Sequence, residues 1–286
     1  MQNISVFAPA KINLYLHITA KRDDNYHLIE SLIVFANYGD KITVTPSEKF
    51  ELQINGQFAP YIKPNNDNLV IKAAMLLAKA SGIKPTGNIK LTKNLPIASG
   101  IGGGSADAAA ALLALRKLWD IPISNEDMSN LAIELGADVA ICLHGTASIV
   151  TGIGEKINPA PILPKFWLVL VNPNLLVSTA EVFAAYKDKF STPQPMNTQP
   201  KDLEELISLL SNRGNDLTGA SISIAPVIKE VIEVLEATPN TVLSRLSGSG
   251  ATCFAIFRTK SDAEAAARKL ARKYPKWWVR ATSLYY

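Results

Sequence analysis

Two cysteines and three histidines in 286 residues leave little material for disulfide or metal chemistry. Cys142 and Cys253 both lie in apolar runs, so they are expected as reduced core residues rather than a disulfide pair. His17, His27 and His144 show no metal-ligand spacing. There is no uninterrupted apolar run of about 18 residues, so no segment is expected to span a membrane. Lys11, Asn13 and His17 interrupt the apolar pattern of the first twenty residues, which does not read as a signal peptide. A cytoplasmic protein is expected. The net charge of +4, from 29 basic and 25 acidic residues, is too mild and too evenly spread to argue for nucleic acid. No internal repeat is evident. At 48% hydrophobic, the chain can bury a substantial core as one large domain or two smaller ones. A monomer or weak homodimer is expected.

What is present is concentrated in Leu95–Ala111, LPIASGIGGGSADAAAA. Asn88–Thr92 before it alternates like a strand, and an Ala/Leu-rich run follows to about Trp119, so the order reads strand, glycine loop, helix. Gly100, Gly102, Gly103 and Gly104 free the backbone to turn its N–H groups toward a ligand. Such groups ahead of a helix N-terminus form an anion site. The plainer reading is a tight turn with Ser105 as the helix cap. Two common phosphate loops are excluded. No lysine stands between Gly104 and Ser105, as a Walker loop requires. Ser105 occupies the place of the third dinucleotide glycine, and no βαβ unit is evident.

Elsewhere, Ala8–Thr19 reads as a strand with Ile12, Leu14, Leu16 and Ile18 on one face and Lys11, Asn13, Tyr15 and His17 on the other. That second face is either solvated or aimed at a ligand. Asp23-Asp24-Asn25 is a turn followed at once by Tyr26 and His27, which could hold a ring or simply pack. Leu32–Val44 reads as two strands around Gly39-Asp40. Phe50–Ile54 is a short strand. Asn68 and Ser124 are expected helix caps. Asp138, in Gly136–Gly145, is either a cap or a carboxylate near the glycine loop. The turn-rich stretch 150–164 suggests a boundary, giving domains 1–158 and 159–286. A strand over 166–172, a helix over 177–186, a mobile loop over 187–199, helices near 201–212 and 226–237, a second small-residue turn at Ser247–Gly250, a helix near 261–274 and a last strand near 277–284 complete the chain.

Taken in order, Pro9-Ala10-Lys11-Ile12-Asn13-Leu14, the loop Pro96–Ala106 and Leu246-Ser247-Gly248-Ser249-Gly250-Ala251 resemble the GHMP kinases, ATP-dependent small-molecule kinases. Arg22-x-Asp24-x-Tyr26-His27 and Gly136-Ala137-Asp138-Val139 point to a branch serving isoprenoid precursor synthesis. The resemblance spans about residues 8–257. It departs at Asn25, Ala98 and Ser99, where glycine is usual, at Ala106 for a second serine, at Ala140 for proline, and at Thr218 for an acid.

The resemblance implies an α+β, two-domain fold. Its N-terminal domain would be like the second domain of ribosomal protein S5, its C-terminal domain α/β, with the active site in the interdomain cleft. ATP phosphates would lie on Pro96, Ile97, Ala98, Ser99, Gly100, Ile101, Gly102, Gly103, Gly104, Ser105 and Ala106, with Mg²⁺ bridging the phosphates and Ser105 as a metal ligand. Asn68 and Lys93 would lie on the adenine side. Asp138 would accept the proton of the attacking hydroxyl, and Lys11 beside it would help neutralise the transferring phosphoryl. The acceptor would be a cytidine diphosphate sugar alcohol. Asn13, Thr179, Gly248 and Ser249 would touch it, and Tyr26, His27 and Phe183 would hold its cytosine. The rival readings are another small-molecule kinase of this family, acting on homoserine, mevalonate or phosphomevalonate, and a non-catalytic nucleotide-binding protein.

Overall fold

The computed structural model describes residues 3–285. Contacts divide the chain into two compact units, each gathered from separate segments. The first takes residues through Ala10, Gly39–Ile97 and Gly102–Gly145; the second takes Lys11–Tyr38, Ala98–Ile101 and Thr146 onward. The strands β1 (Ile4–Lys21) and β2 (His27–Thr45) pair with each other, and both contribute residues to the two units. β2 is continuous through Gly39-Asp40, where two strands were expected. Glycine is required at 39 because a Cβ there would lie 2.1 Å from the Ala8 carbonyl oxygen. Asp40 is fully buried, so this pair marks a close strand contact and not a turn.

In the first unit, β3 (Phe50–Asn55) runs parallel to β4 (Gly87–Thr92), and β4 runs antiparallel to residues 41–45 of β2. The parallel pair needs a crossover, supplied by α1 (Leu69–Ala80). A βαβ unit therefore exists, contrary to expectation, but it precedes the glycine loop instead of enclosing it. After the loop come only α2 (Gly103–Leu118), α3 (Asn125–Leu135) and α4 (Ala137–His144) before the unit ends. The alanines Ala106 and Ala108–Ala111 of α2 are buried, and their small side chains let α1 and α4 pack closely against it. Asn68 caps α1 through Val70 N at 2.9 Å, and Ser124 caps α3 through Asp127 N at 3.0 Å, as expected. Ser105 is not the cap of α2. Gly102, in the left-handed region at φ +65°, holds that place, and Ser105 is the third helical residue.

In the second unit, β5 (Ser148–Gly152) pairs antiparallel with residues 29–33 of β2 and with β6 (Lys156–Pro159). Much of the turn-rich stretch 150–164 is thus a hairpin. The chain continues through β7 (Trp167–Asn172), α5 (Thr179–Ala185), α6 (Leu203–Ser211), α7 (Thr218–Ile224) and α8 (Val227–Glu236). It ends with β8 (Leu243–Leu246), β9 (Cys253–Phe257), α9 (Lys260–Lys273) and β10 (Trp278–Ser283). A four-stranded antiparallel sheet of order β10-β7-β9-β8 carries α8 and α9. Its core joins Val169, Val171, Ala255 and Phe257 to Ile228, Val231, Leu235, Ala263 and Leu270. The short helix α7 was not foreseen. Segment 187–199 lacks regular structure, as expected, but it is strapped down. Ser191 N donates to Ile18 O at 2.8 Å, Gln194 N to Glu30 at 3.1 Å, Arg213 to Gln194 O at 2.9 Å, and Met196 is buried. No helix among the described residues is long and apolar enough to cross a membrane.

Candidate active site

The glycine loop is a backbone device. Ala98, Gly100 and Gly102 all take positive φ, at +45°, +73° and +65°. Four successive carbonyls are tied off: Ala98 O accepts from Val177 N, Ser99 O from Thr252 N, Gly100 O from Ser247 Oγ and Ile101 O from Lys11 N, at 3.4, 3.0, 3.2 and 2.9 Å. Among the described residues, the N–H groups of Gly100 to Ser105 meet no acceptor in the chain, and the helical ladder begins with Ala106 N donating to Gly102 O at 2.8 Å. A run of free donors at a helix N-terminus is what an anion requires.

The second glycine turn packs directly on residues 98–101. A Cβ on Gly100 would lie 2.4 Å from Ser247 O, and one on Gly248 would lie 2.7 Å from Gly100 O. Glycine at both places permits this backbone-on-backbone approach. Asn215 holds the turn by donating to Leu246 O at 2.9 Å and Gly248 O at 2.8 Å. Thr179, opening α5, shares a hydrogen bond with Ser249 at 2.9 Å. Thr179, Gly248 and Ser249 are thereby brought to one place.

Residues Lys11, Asn13, Tyr15 and His17 of β1 are all buried, which removes the solvated-face alternative. Asn13 N donates to Ser247 Oγ at 3.2 Å and Asn13 Nδ2 to Ser31 Oγ at 2.8 Å, while its Oδ1 is a buried acceptor with no partner. His27 lies 5.4 Å from the Phe183 ring at a 32° tilt and edge-on to Tyr186 at 5.9 Å. Burial, then the charge of Lys21, lowers its pKa, so the imidazole is neutral at pH 7. Tyr26 projects outward at 60% exposure, positioned by Asp24 accepting from Tyr26 N at 3.2 Å. Asn25 before it takes φ +70°, the conformation a glycine would supply.

Asp138 is half-buried in the first turn of α4. That helix is entered from Gly136 at φ +146°, which holds the N-cap place, and Asp138 is its second residue. Asn68 Oδ1 serves Val70 N, and its Nδ2 reaches Lys63 O at 3.5 Å. Lys93, expected on the adenine side, is turned inward. Its Nζ is 2.5 Å from both Asp40 and Asp107, and the side chain is 2% exposed. Asp40, Asp107 and Asn215 were given no site role from sequence.

The chain thus carries a βαβ unit followed by a glycine loop that opens a helix, and, further along, a second glycine turn beside an antiparallel sheet. The profile "GHMP kinases N terminal domain" matches residues 68–146, and "GHMP kinases C terminal" matches residues 196–276. The chain belongs to the GHMP kinases. It is 46% identical, over 99% of both chains, to 4-diphosphocytidyl-2-C-methyl-D-erythritol kinase of Paramagnetospirillum magneticum. It is 43% identical to the protein of that name from Rhodospirillum rubrum, covering 97% of this chain and 91% of the other. A crystal structure of 4-(cytidine 5'-diphospho)-2C-methyl-D-erythritol kinase superposes with a TM-score of 0.81 at 31% identity, covering 98% and 99% of the chains. Homoserine kinase from Cytophaga hutchinsonii shares the fold, with a TM-score of 0.75 at 19% identity over 99% and 95% of the chains.

Proposed function

We propose that the protein phosphorylates the 2-hydroxyl of 4-diphosphocytidyl-2-C-methyl-D-erythritol at the expense of ATP. The observation that carries the kinase reading is the run of free N–H groups from Gly100 to Ser105, ahead of α2, with the neighbouring carbonyls tied off. The full-length relatives named for this kinase support the choice of acceptor.

The substrate hydroxyl oxygen attacks the γ-phosphorus, the bond from that phosphorus to the β,γ-bridging oxygen breaks, and ADP leaves. Asp138 takes the hydroxyl proton, and Lys11 offsets charge on the transferring group. Pro96 to Ala106 cradle the phosphates, and Asn68 stands on the adenine side. Asn13, whose Oδ1 is an open acceptor, positions the acceptor substrate together with Thr179, Gly248 and Ser249. His27 and Phe183, already adjacent, hold the cytosine with Tyr26. The neutral imidazole suits hydrogen bonding to a neutral base. Lys93 is withdrawn from direct nucleotide contact because its ammonium is spent on two carboxylates.

No group of three or more His, Cys, Asp or Glu among the described residues could hold a metal ion. Mg²⁺ would be carried mainly by phosphate oxygens and water, with Ser105 as the protein hydroxyl, and would neutralise phosphate charge.

The test is ADP release by purified protein with ATP and Mg²⁺, comparing this acceptor with homoserine and mevalonate. Release that depends on the cytidine acceptor alone is expected. Turnover of another acceptor instead would overturn the substrate assignment, and nucleotide binding without any turnover would favour a non-catalytic protein.

A further inference from the structure

We propose that Lys93, Asp40 and Asp107 form a positioning cluster that sets the nucleotide affinity of the glycine loop; the inference rests on the phosphate-binding role given to that loop above. Lys93 follows β4 directly. Its Nζ donates to Asp40 Oδ2 and to Asp107 Oδ2, both at 2.5 Å. The other Asp40 oxygen accepts from Asn94 N at 2.5 Å and Leu95 N at 2.9 Å, where the chain enters the loop. Asn94 Nδ2 donates to Gly39 O at 3.1 Å, anchoring the same point to β2. Asp107 lies in α2, just past the loop's far end. One ammonium thus ties the entrance and the exit of the loop together.

The ammonium also lies against the first residue of α2. A Cβ built on Gly103 would be 3.1 Å from Lys93 Nζ. A buried ion pair beside a third ionisable group is an expensive way to fill a core, and apolar residues of similar volume hold a fold at least as well. The cluster's presence here is explained by the cation acting on what the N–H groups of the loop bind. That action depends on Asp107, which shares Lys93 with Asp40 and whose Oδ1 is a buried atom without a partner. Burial, only partly opposed by Lys93 and reinforced by the Asp40 charge, pushes the Asp107 carboxyl up to about 8. Lys93 is held above its ordinary value by the two carboxylates despite its burial, so it keeps its charge. The charged groups facing Asp107 are Lys93, following β4, and Asp40, from β2. Below pH 8 Asp107 is protonated; above it, the cluster gains a negative charge beneath the phosphate site, and nucleotide affinity falls.

The experiment is ADP titration calorimetry on the full chain at pH 7 and pH 9, with steady-state KM values for both substrates. Asp107→Asn keeps an oxygen acceptor for Lys93 and cannot ionise. It should bind ADP within about twofold of the unmodified protein at pH 7 and escape its loss of at least about threefold at pH 9. Lys93→Met, or the Lys93→Met/Asp107→Asn pair if the single variant does not fold, should weaken ADP by about tenfold or more. The KM for the acceptor should stay within about twofold, a split that general loosening of the fold would not produce. Folded variants with unchanged ADP affinity and unchanged pH dependence would overturn the cluster's role while leaving the loop reading intact. An unmodified protein that binds no ADP would overturn the loop reading and this inference with it.

Discussion

Asp138 carries the heaviest chemical demand placed on one side chain, because it alone is assigned the proton. Asp138→Asn should lower kcat by at least about 10²-fold. ADP affinity should be nearly unchanged, and titration of the variant checks that the loop is intact. Phe183 has a different task. Its ring lies 5.4 Å from His27, so truncation removes one of the rings proposed to hold the cytosine. Phe183→Ala should raise the acceptor KM by about tenfold and leave the ATP KM alone, as two-substrate kinetics would show. Asp107 makes a stability prediction with a defined sign. Its folded pKa, about 8, stands above the ordinary 3.8. A raised acid favours the fold fully only below the unfolded value, and that contribution is lost as pH rises through the folded one. Asp107→Asn should therefore gain thermal stability relative to the unmodified protein as pH is raised from 5 to 9, with the gap largest at the alkaline end. Equal melting temperatures across that range would contradict the buried-carboxyl account.

At the scale of elements, the two glycine turns should behave as one rigid joint. Gly100→Ala places a Cβ 2.4 Å from Ser247 O on a residue at φ +73°. Clash and backbone strain together should cost about 2–4 kcal/mol, or roughly 5–10 °C of melting temperature. Gly104→Ala is the contrast, since its Cβ would meet only Leu69 Cδ1 at an ordinary 3.6 Å in a helix that favours alanine. Its melting temperature should hold or rise slightly. The strap over 187–199 offers another check. Arg213 donates twice to Gln194 O, and Arg213→Ala should speed proteolytic cleavage in that segment. What could be read from sequence at this scale was local. Asn68, Ser124 and Asn25 were legible because each acts on its own backbone or on partners two or three residues away. Gly39-Asp40 was misread as a turn because its reasons, Ala8, the Lys93 side chain and the 94–95 backbone, lie some thirty to fifty-five residues off in the chain. The partners of Lys93 were hidden for the same cause. A lysine beside a glycine loop looks like a ligand for phosphate or base, and the two carboxylates that claim it are not adjacent to it in sequence.

For the whole molecule, motif order along the chain carried the family assignment, and the fold follows from it. The contact units, by contrast, could not be read as successive stretches, because β1 and β2 each pass from one into the other. The central claim is chemical: a phosphoryl group moves from ATP to one hydroxyl of a cytidine-bearing alcohol. Phosphorus NMR of the product formed from 4-diphosphocytidyl-2-C-methyl-D-erythritol tests it most directly. The account predicts one new phosphomonoester, on the 2-hydroxyl, formed in step with ADP while the diphosphate bridge stays intact. ADP formed without that resonance, or phosphate carried on another hydroxyl, would contradict it.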